Sequence, residues 1–176
     1  MWLFQSAQIL SMAESTDPVT ATKTPKELIK HFYSEQEKRV ETYHLFEEGF
    51  RAYLDKAPNY NFPLFRQLVN AVTNTFQNIS REIICIKTEL SDSHNLKSLA
   101  SLVDKVQDKE KCKLELTANL QLAEKDVKDN QGVESYVDKV RELKERLKEI
   151  EEEINEVLEE IKYESEDLYE DERAER

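Results

Sequence analysis

Hydrophobic residues recur every three or four positions along four long stretches of this chain, and that period predicts four helices. The first begins after Thr24, which can cap the free amides, while Pro25 suits the first helical position and Glu27 completes a capping box. We expect it to end near residue 57, before the Pro- and Asn-rich break of residues 57–63. Its predicted apolar stripe comprises Ile29, Phe32, Tyr33, Val40, Tyr43, Phe46, Phe50, Tyr53 and Leu54.

Gly49 lies inside this stripe, although a glycine weakens a helix interior by about 1 kcal/mol relative to alanine. Two interpretations are open. Either another helix or an aromatic ring approaches closely at this position, which would explain the missing side chain, or the glycine is a tolerated kink.

Helices 2 and 3 are predicted over residues 63–90 and 95–129, and the short polar turn between them makes them antiparallel. Helix 2 carries an a/d seam of Phe65, Val69, Val72, Phe76, Ile79, Ile83, Ile86 and Leu90. The seam of helix 3 is interrupted at residues 108–111, which indicates either a stutter or the point where a bundle gives way to a two-helix stalk. Its two parts are Leu96, Leu99, Val103 and Val106, then Cys112, Leu116, Leu120, Ala123 and Val127.

Strict heptads follow the Asn130-Gln131-Gly132 turn and predict a coiled-coil helix over residues 131–162. Its partner is open: it can fold back on helix 3, pair with another copy of the chain, or bind a different protein. Beyond Ile161 we expect the helix to fray into an acidic tail of residues 163–176. The predicted seam is Val133, Tyr136, Val140, Leu143, Leu147, Ile150, Ile154, Val157 and Ile161.

The net charge of −12 is concentrated at the C-terminus, because residues 141–176 contain sixteen Asp and Glu against seven Lys and Arg. Such a segment repels nucleic-acid phosphates and attracts basic partners, or it is simply a solvated helix face. Residues 1–23 are rich in Ser, Thr, Ala and Asp and predict a disordered N-terminal tail, within which Met12 offers a second start site besides Met1. No run of eighteen apolar residues occurs, so no membrane span is expected.

The residue types that usually carry chemistry are sparse. Cys85 and Cys112 predict two buried thiols in a reducing compartment, not a disulfide or a metal pair. Glu41-x-x-His44 matches the helical unit of di-iron bundles, but no second copy accompanies it, so we interpret His44 as an ordinary surface or boundary histidine. With two glycines the chain has no material for a phosphate-binding loop. We therefore expect no enzyme activity, no cofactor and no metal.

A row of lysines on helix 3 is the candidate for nucleic-acid contact. Lys105, Lys109 and Lys113 share one face and could meet phosphates. Acidic residues such as Asp104 and Glu110 alternate with them, which favours a solvated mixed-charge face. Direct nucleic-acid binding is therefore not expected.

Characteristic segments occur at residues 37–54, 59–69, 72–83, 99–103 and 110–118. The most specific are the Arg-Val-x-x-Tyr and Glu-Glu-Gly-Phe patterns of residues 39–50 and the Lys-Leu-Glu-Leu-Thr-Ala pattern of residues 113–118. In these segments the chain resembles the Required-for-excision B-domain family, over about residues 27–126. The resemblance implies a small helical protein linked to DNA excision repair, with no catalytic residues to carry over. It says nothing about the heptad helix.

These observations predict an all-α protein, in which a small helical bundle over residues 24–130 is extended by a long antiparallel or self-associating coiled coil. The predicted function is a non-enzymatic accessory factor in DNA excision repair that acts through protein–protein contacts, in the nucleus, the cytoplasm or both. The expected partners are repair factors or basic nuclear proteins, and the coiled coil allows a homo-oligomer. The alternative is a general coiled-coil scaffold or adaptor with no repair role. The predicted contact face on helices 1 and 2 comprises Arg39, Glu47, Arg51 and Arg66.

Overall fold

A computed structural model describes residues 23–169 and consists of four long helices. The described part of the chain contains no strand, so the all-α prediction is confirmed. The predicted N-terminal tail up to residue 22, and residues 170–176 of the predicted acidic tail, lie outside the described residues. The helices are α1 (Pro25–Leu54), α2 (Phe62–Asp92), α3 (Lys97–Asp129) and α4 (Glu134–Glu164).

The helix boundaries follow from local chemistry. The capping box predicted for α1 is present: Glu27 N donates to Thr24 Oγ1 at 3.3 Å, and Thr24 N donates to Glu27 Oε2 at 2.8 Å. Asn61 caps α2 by accepting from the Leu64 amide at 3.2 Å. Gly132, at a φ of 88°, makes the turn from α3 to α4 in a conformation that other residues rarely adopt.

Consecutive helices run antiparallel, in an up-down-up-down bundle about 45 Å long. At one end the Lys23 amide donates to Glu89 Oε1 at 2.9 Å, which joins the start of α1 to the end of α2. At the other end the Tyr60 hydroxyl donates to Asp129, which joins the loop before α2 to the end of α3.

The core is apolar along most of the bundle, and the seam predicted for α2 is confirmed from Val72 to Leu90. In α1, Leu28 is buried in addition to most of the predicted stripe. Val40 is a wrong prediction, because its side chain is 54% exposed on the outer side of α1. The apolar core cluster comprises Leu28, Ile29, Phe32, Phe46, Val72, Phe76, Ile79, Ile83, Ile86, Leu90, Leu99, Ala100, Leu102, Val103, Val106, Leu116, Ala123, Leu143, Ile150, Ile154, Val157 and Ile161. Phe50 and Tyr53 of α1 are buried as well.

The close-approach interpretation of Gly49 agrees with the structure. A Cβ at this position would lie 2.0 Å from Leu68 Cδ2, so the α2 side chain rests on the backbone of α1. The prediction for Cys85 is wrong: it is exposed, because Ile83 and Ile86 take the core-facing positions of that turn, and Cys112 is partly exposed.

The heptad helix α4 folds back on α3, which is the antiparallel alternative, and its most extensive contacts are with that helix. The seam residues from Leu143 to Ile161 are buried or packed against the core, while Tyr136 is half-buried near the N-terminal end of α4. Val133 is a wrong seam prediction, because it precedes α4 as its cap residue and is exposed. Lys109 Nζ to Glu153 Oε2 (2.5 Å) and Lys113 Nζ to Glu151 Oε1 (2.9 Å) flank the seam as interhelical ion pairs.

The fraying predicted from residue 163 is also wrong for the described residues. Helix α4 continues to Glu164, and Ser165 is buried at its end, where its hydroxyl donates to the Lys162 carbonyl at 3.1 Å. Leu168 packs against the core, and the Lys26 ammonium lies 5.1 Å from the centre of the Tyr169 ring. The contact of Leu168 therefore keeps the segment after α4 packed against the bundle. None of the helices in the described part of the chain is both long and apolar enough to span a membrane.

Candidate functional site

The most unusual feature of the bundle is a polar layer at mid-height in a largely apolar core. We define the polar layer as Gln36, Arg39 and Tyr43 of α1 with Gln107 and Glu110 of α3. Arg39 and Glu110 are 3% and 9% exposed, and both lie near the midpoints of their helices. Buried charges are rare unless they are paired, so this layer needs a physical account.

The polar layer joins α1 to α3 through side chains, although the two backbones approach each other at few positions. Arg39 Nη2 donates to Gln107 Oε1 at 2.8 Å, and Arg39 Nη1 forms an ion pair with Glu110 Oε1 at 3.8 Å. Gln36 Nε2 donates to the same Glu110 oxygen at 3.5 Å. The Tyr43 hydroxyl donates to the Glu110 carbonyl at 3.4 Å. The layer is therefore one connected network that fixes how α1 and α3 face each other.

Burial and charge shape the titration of this network. Burial lowers the pKa of Arg39, and the neighbouring Glu110 carboxylate opposes that shift. Burial raises the pKa of Tyr43 well above its ordinary value, and Glu110 adds to the increase. Tyr43 also packs on Phe76 at a centroid distance of 4.8 Å, with Lys113 Nζ 4.7 Å from its ring centre. The tyrosine therefore stays neutral and acts as a hydrogen-bond donor.

Beside the layer, Glu35 is buried on the α1 surface that faces α2. Its Oε1 accepts from Lys38 Nζ at 2.5 Å and lies 3.3 Å from His31 Nε2. The same histidine nitrogen lies 3.7 Å from Glu82 Oε2, across the interface. Lys38 thus forms an ion pair with Glu35 within α1, and His31 lies between Glu35 and Glu82 at the α1–α2 interface. No group of three potential metal ligands occurs among the residues that the structure describes.

The predicted contact face is only partly at the surface. Arg39 is a wrong prediction, because it is the buried centre of the polar layer. Glu47 and Arg51 are exposed and form an ion pair one helical turn apart, and Arg66 is exposed near the start of α2. Both members of the Glu41-x-x-His44 unit are exposed on α1.

The predicted lysine row of α3 is engaged by α4. Lys109 and Lys113 pair with Glu153 and Glu151, and Lys105 stays exposed. Two of the three cations thus contact carboxylates of the same chain, which lowers the positive potential available to an external phosphate.

Two features of the surface are candidates for contact with other molecules: the outer face of α4 and a cleft beside α1. The outer face of α4 carries the exposed carboxylates of Glu149, Glu156 and Glu160, with the 79% exposed Tyr163 beside them. Between α1 and the end of α4 lies a cleft of about 730 Å³. It is lined by Tyr33, Asn155, Leu158, Glu159, Lys162, Ser165, Glu166 and Tyr169.

Known proteins place this architecture in context. The family model described as DNA repair REX1-B matches residues 27–124, which span α1, α2 and most of α3. A Required for excision 1-B domain-containing protein of Bos taurus is 36% identical over 97 residues, which are 55% of this chain and 54% of the relative. Its namesake in Mus musculus is 30% identical over 95 residues, 54% of this chain and 56% of the relative.

The chain thus spans about half the length of the curated relatives that it matches. No solved structure matches it significantly. The matched region contains the whole polar layer, whereas α4 and its acidic outer face lie outside that region.

Proposed function

Since the chain belongs to the DNA repair REX1-B family, we propose that it is a non-enzymatic accessory factor in DNA excision repair that acts through protein–protein contacts. The family match over residues 27–124 is the observation that carries this proposal. Its partners are proteins of the repair machinery, and its place of action is the nucleus. Neither a cofactor nor direct contact with nucleic acid is part of the proposed mechanism.

The buried polar groups contact one another between the helices, so they are engaged in packing. This supports a role in which the outer surface of the bundle binds other molecules. Arg39 and Glu110 hold α1 against α3, and Lys109 and Lys113 hold α4. What the bundle offers to other molecules is its rigid outer surface. Rigid helical faces suit recognition, since little conformational entropy is lost when a partner docks.

A second function, a scaffold or adaptor with no repair role, is favoured by the outer face of α4. The apolar seam of α4 is occupied by α3, so an adaptor would use the opposite, acidic face instead of zipping with a partner helix. The exposed carboxylates of Glu149, Glu156 and Glu160 suit a basic protein segment.

The test is the removal of ultraviolet lesions from genomic DNA in cells that lack this protein. Rescue would use the full chain and two charge-reversal variants made within it. The body-face variant changes Arg51→Glu and Arg66→Glu, and the α4-face variant changes Glu149→Lys and Glu156→Lys. All four side chains are exposed, so each variant should stay folded and lose little thermal stability.

We expect slow lesion removal without the protein, rescue by the full chain and by the α4-face variant, and poor rescue by the body-face variant. Normal lesion removal in cells without the protein would overturn the repair function and leave the adaptor. Rescue by the body-face variant together with failure of the α4-face variant would move the working surface outside the family-matched region.

A further inference from the structure

Three polar atoms of the polar layer have no hydrogen-bond partner among the described residues. They are Arg39 Nη1, Gln36 Oε1 and Glu110 Oε2. Each belongs to a residue that is more than nine-tenths buried, with Gln36 8% exposed. Buried polar atoms of folded proteins are nearly always satisfied, so each of these three atoms calls for a hydrogen-bond partner.

The three side chains meet at the Glu110 carboxylate. Glu110 Oε1 accepts from Gln36 Nε2 at 3.5 Å and lies 3.8 Å from Arg39 Nη1. The second oxygen of that carboxylate, Oε2, is the unpartnered one. The amide of Gln36 is held in this orientation, because a flipped amide would set its oxygen against Glu110 Oε1. Its oxygen is therefore left free to accept a hydrogen bond from another molecule.

The chemistry of the three atoms selects the ligand. Arg39 Nη1 is a donor, whereas Gln36 Oε1 and Glu110 Oε2 are acceptors. A metal cation would lie against the guanidinium, and an anion would lie against two oxygen acceptors. A neutral molecule that accepts one hydrogen bond and donates two fits all three atoms, and water does so while keeping one further acceptor position.

We infer that the polar layer binds one buried structural water molecule between α1 and α3. The water accepts from Arg39 Nη1 and donates to Gln36 Oε1 and Glu110 Oε2. It completes the network at the level where the two backbones approach only at few positions, so that a buried ion pair is satisfied without closer helix packing. It is part of the folded structure, in the way that buried waters with three protein partners usually are.

Oxygen-17 magnetic relaxation dispersion on the full chain tests this inference, because it counts water molecules that stay bound longer than the protein tumbles. Replacing the three side chains together (Gln36→Leu, Arg39→Met, Glu110→Leu) should lower that count by one. The matched control, Glu47→Leu with Arg51→Met, removes an exposed ion pair of the same helix and should leave the count unchanged. Equal counts in the two folded variants would overturn the inference.

A crystal structure of the unaltered chain provides the second test and does not depend on whether the triple variant folds. We expect an isolated density peak within hydrogen-bonding distance of Arg39 Nη1, Gln36 Oε1 and Glu110 Oε2. Well-ordered side chains with no peak between them would overturn the inference. A peak that fits an ion with other neighbours would overturn it as well.

Discussion

Replacing Glu110 by leucine should strongly destabilise the bundle, because it leaves the Arg39 guanidinium buried without its carboxylate partner. Arg39 is 3% exposed and its Nη1 lies 3.8 Å from Glu110 Oε1. Leucine and glutamate have similar helix propensities, so the change tests the core interaction and not the helix itself. The side chain of leucine also fills much of the same space.

Breaking a buried ion pair by removing one partner costs about 3–5 kcal/mol, since the remaining charge is still desolvated. Arg39 keeps its hydrogen bond to Gln107 at 2.8 Å, and the Glu35 carboxylate also favours its charged form. We therefore expect a loss at the lower end, about 3 kcal/mol in the free energy of unfolding. Replacing both partners, as Arg39→Met with Glu110→Leu, should restore at least half of that loss, because no buried charge is then unpaired.

Urea unfolding followed by far-ultraviolet circular dichroism measures these differences by linear extrapolation. The control is Glu47→Leu, which breaks an exposed ion pair between residues one turn apart in α1 and should cost no more than about 0.5 kcal/mol. If Glu110→Leu costs no more than Glu47→Leu, the ion pair does not support the bundle. If the double variant is less stable than Glu110→Leu, the argument from an unpaired charge is wrong.

Three further outcomes follow from the packing and the loops. Ile154→Asp buries a carboxylate in the α3–α4 interface and should cost several kcal/mol, seen as a lower melting temperature and faster proteolysis of α4; unchanged melting would contradict the burial of Ile154. Gly49→Ala should reduce the free energy of unfolding by at least about 1 kcal/mol less in a Leu68→Ala background than in the unaltered chain, because the added Cβ would lie 2.0 Å from Leu68 Cδ2. Equal losses in the two backgrounds, measured by urea unfolding, would refute the close approach. The hydrogen bond to Asp129 raises the pKa of Tyr60 to about 12. The pair therefore stabilises the folded state below the ordinary tyrosine pKa, and this stabilisation is lost as the pH rises through the raised pKa. Asp129→Asn should lower the pKa of Tyr60 in an ultraviolet titration, and an unchanged pKa would show that the hydrogen bond does not form in solution.

The helices themselves could be predicted from the sequence because capping and periodicity are local properties. Thr24 and Glu27 mark the start of α1, and Gly132 marks the turn before α4. The predicted ends of α1, α2 and α3 differ from the observed ones by up to three residues. Fraying and turn geometry at helix ends depend on contacts that a single segment does not encode.

The polar layer cannot be recognised from residue type alone, but the spacing along α1 identifies it. From Phe32, alternate steps of four and three reach Gln36, Arg39 and Tyr43, and all four face the interior. The predicted stripe omits the polar residues Gln36 and Arg39 and includes Val40, which lies on the outer side of α1. In a helix the angular position decides which side chains turn inward, and a polar residue at such a position is a sign of a buried network.

In α3 the same signal was present as an apparent break in the seam. Leu99, Val103 and Val106 lead by steps of four and three to Glu110, which is buried. The interruption at residues 108–111 is therefore neither the end of the bundle nor the start of a stalk. It is the level at which Glu110 meets Arg39 of α1, a partner that is about seventy residues away along the chain and cannot be identified from either helix alone.

The family-matched region and the folded unit do not coincide, and this difference decides how the function should be tested. The match ends at residue 124, yet Leu116 and Ala123, which lie inside it, share one core with Leu143 and Ile150 of α4. Removing α4 would expose that apolar face of α3 and also release Glu151 and Glu153 from Lys113 and Lys109. If a truncated chain failed to restore repair, the failure could be explained equally by loss of folding or by loss of a contact surface. Charge reversals on the intact bundle avoid this ambiguity, because they change the surface that a partner meets and leave the core in place.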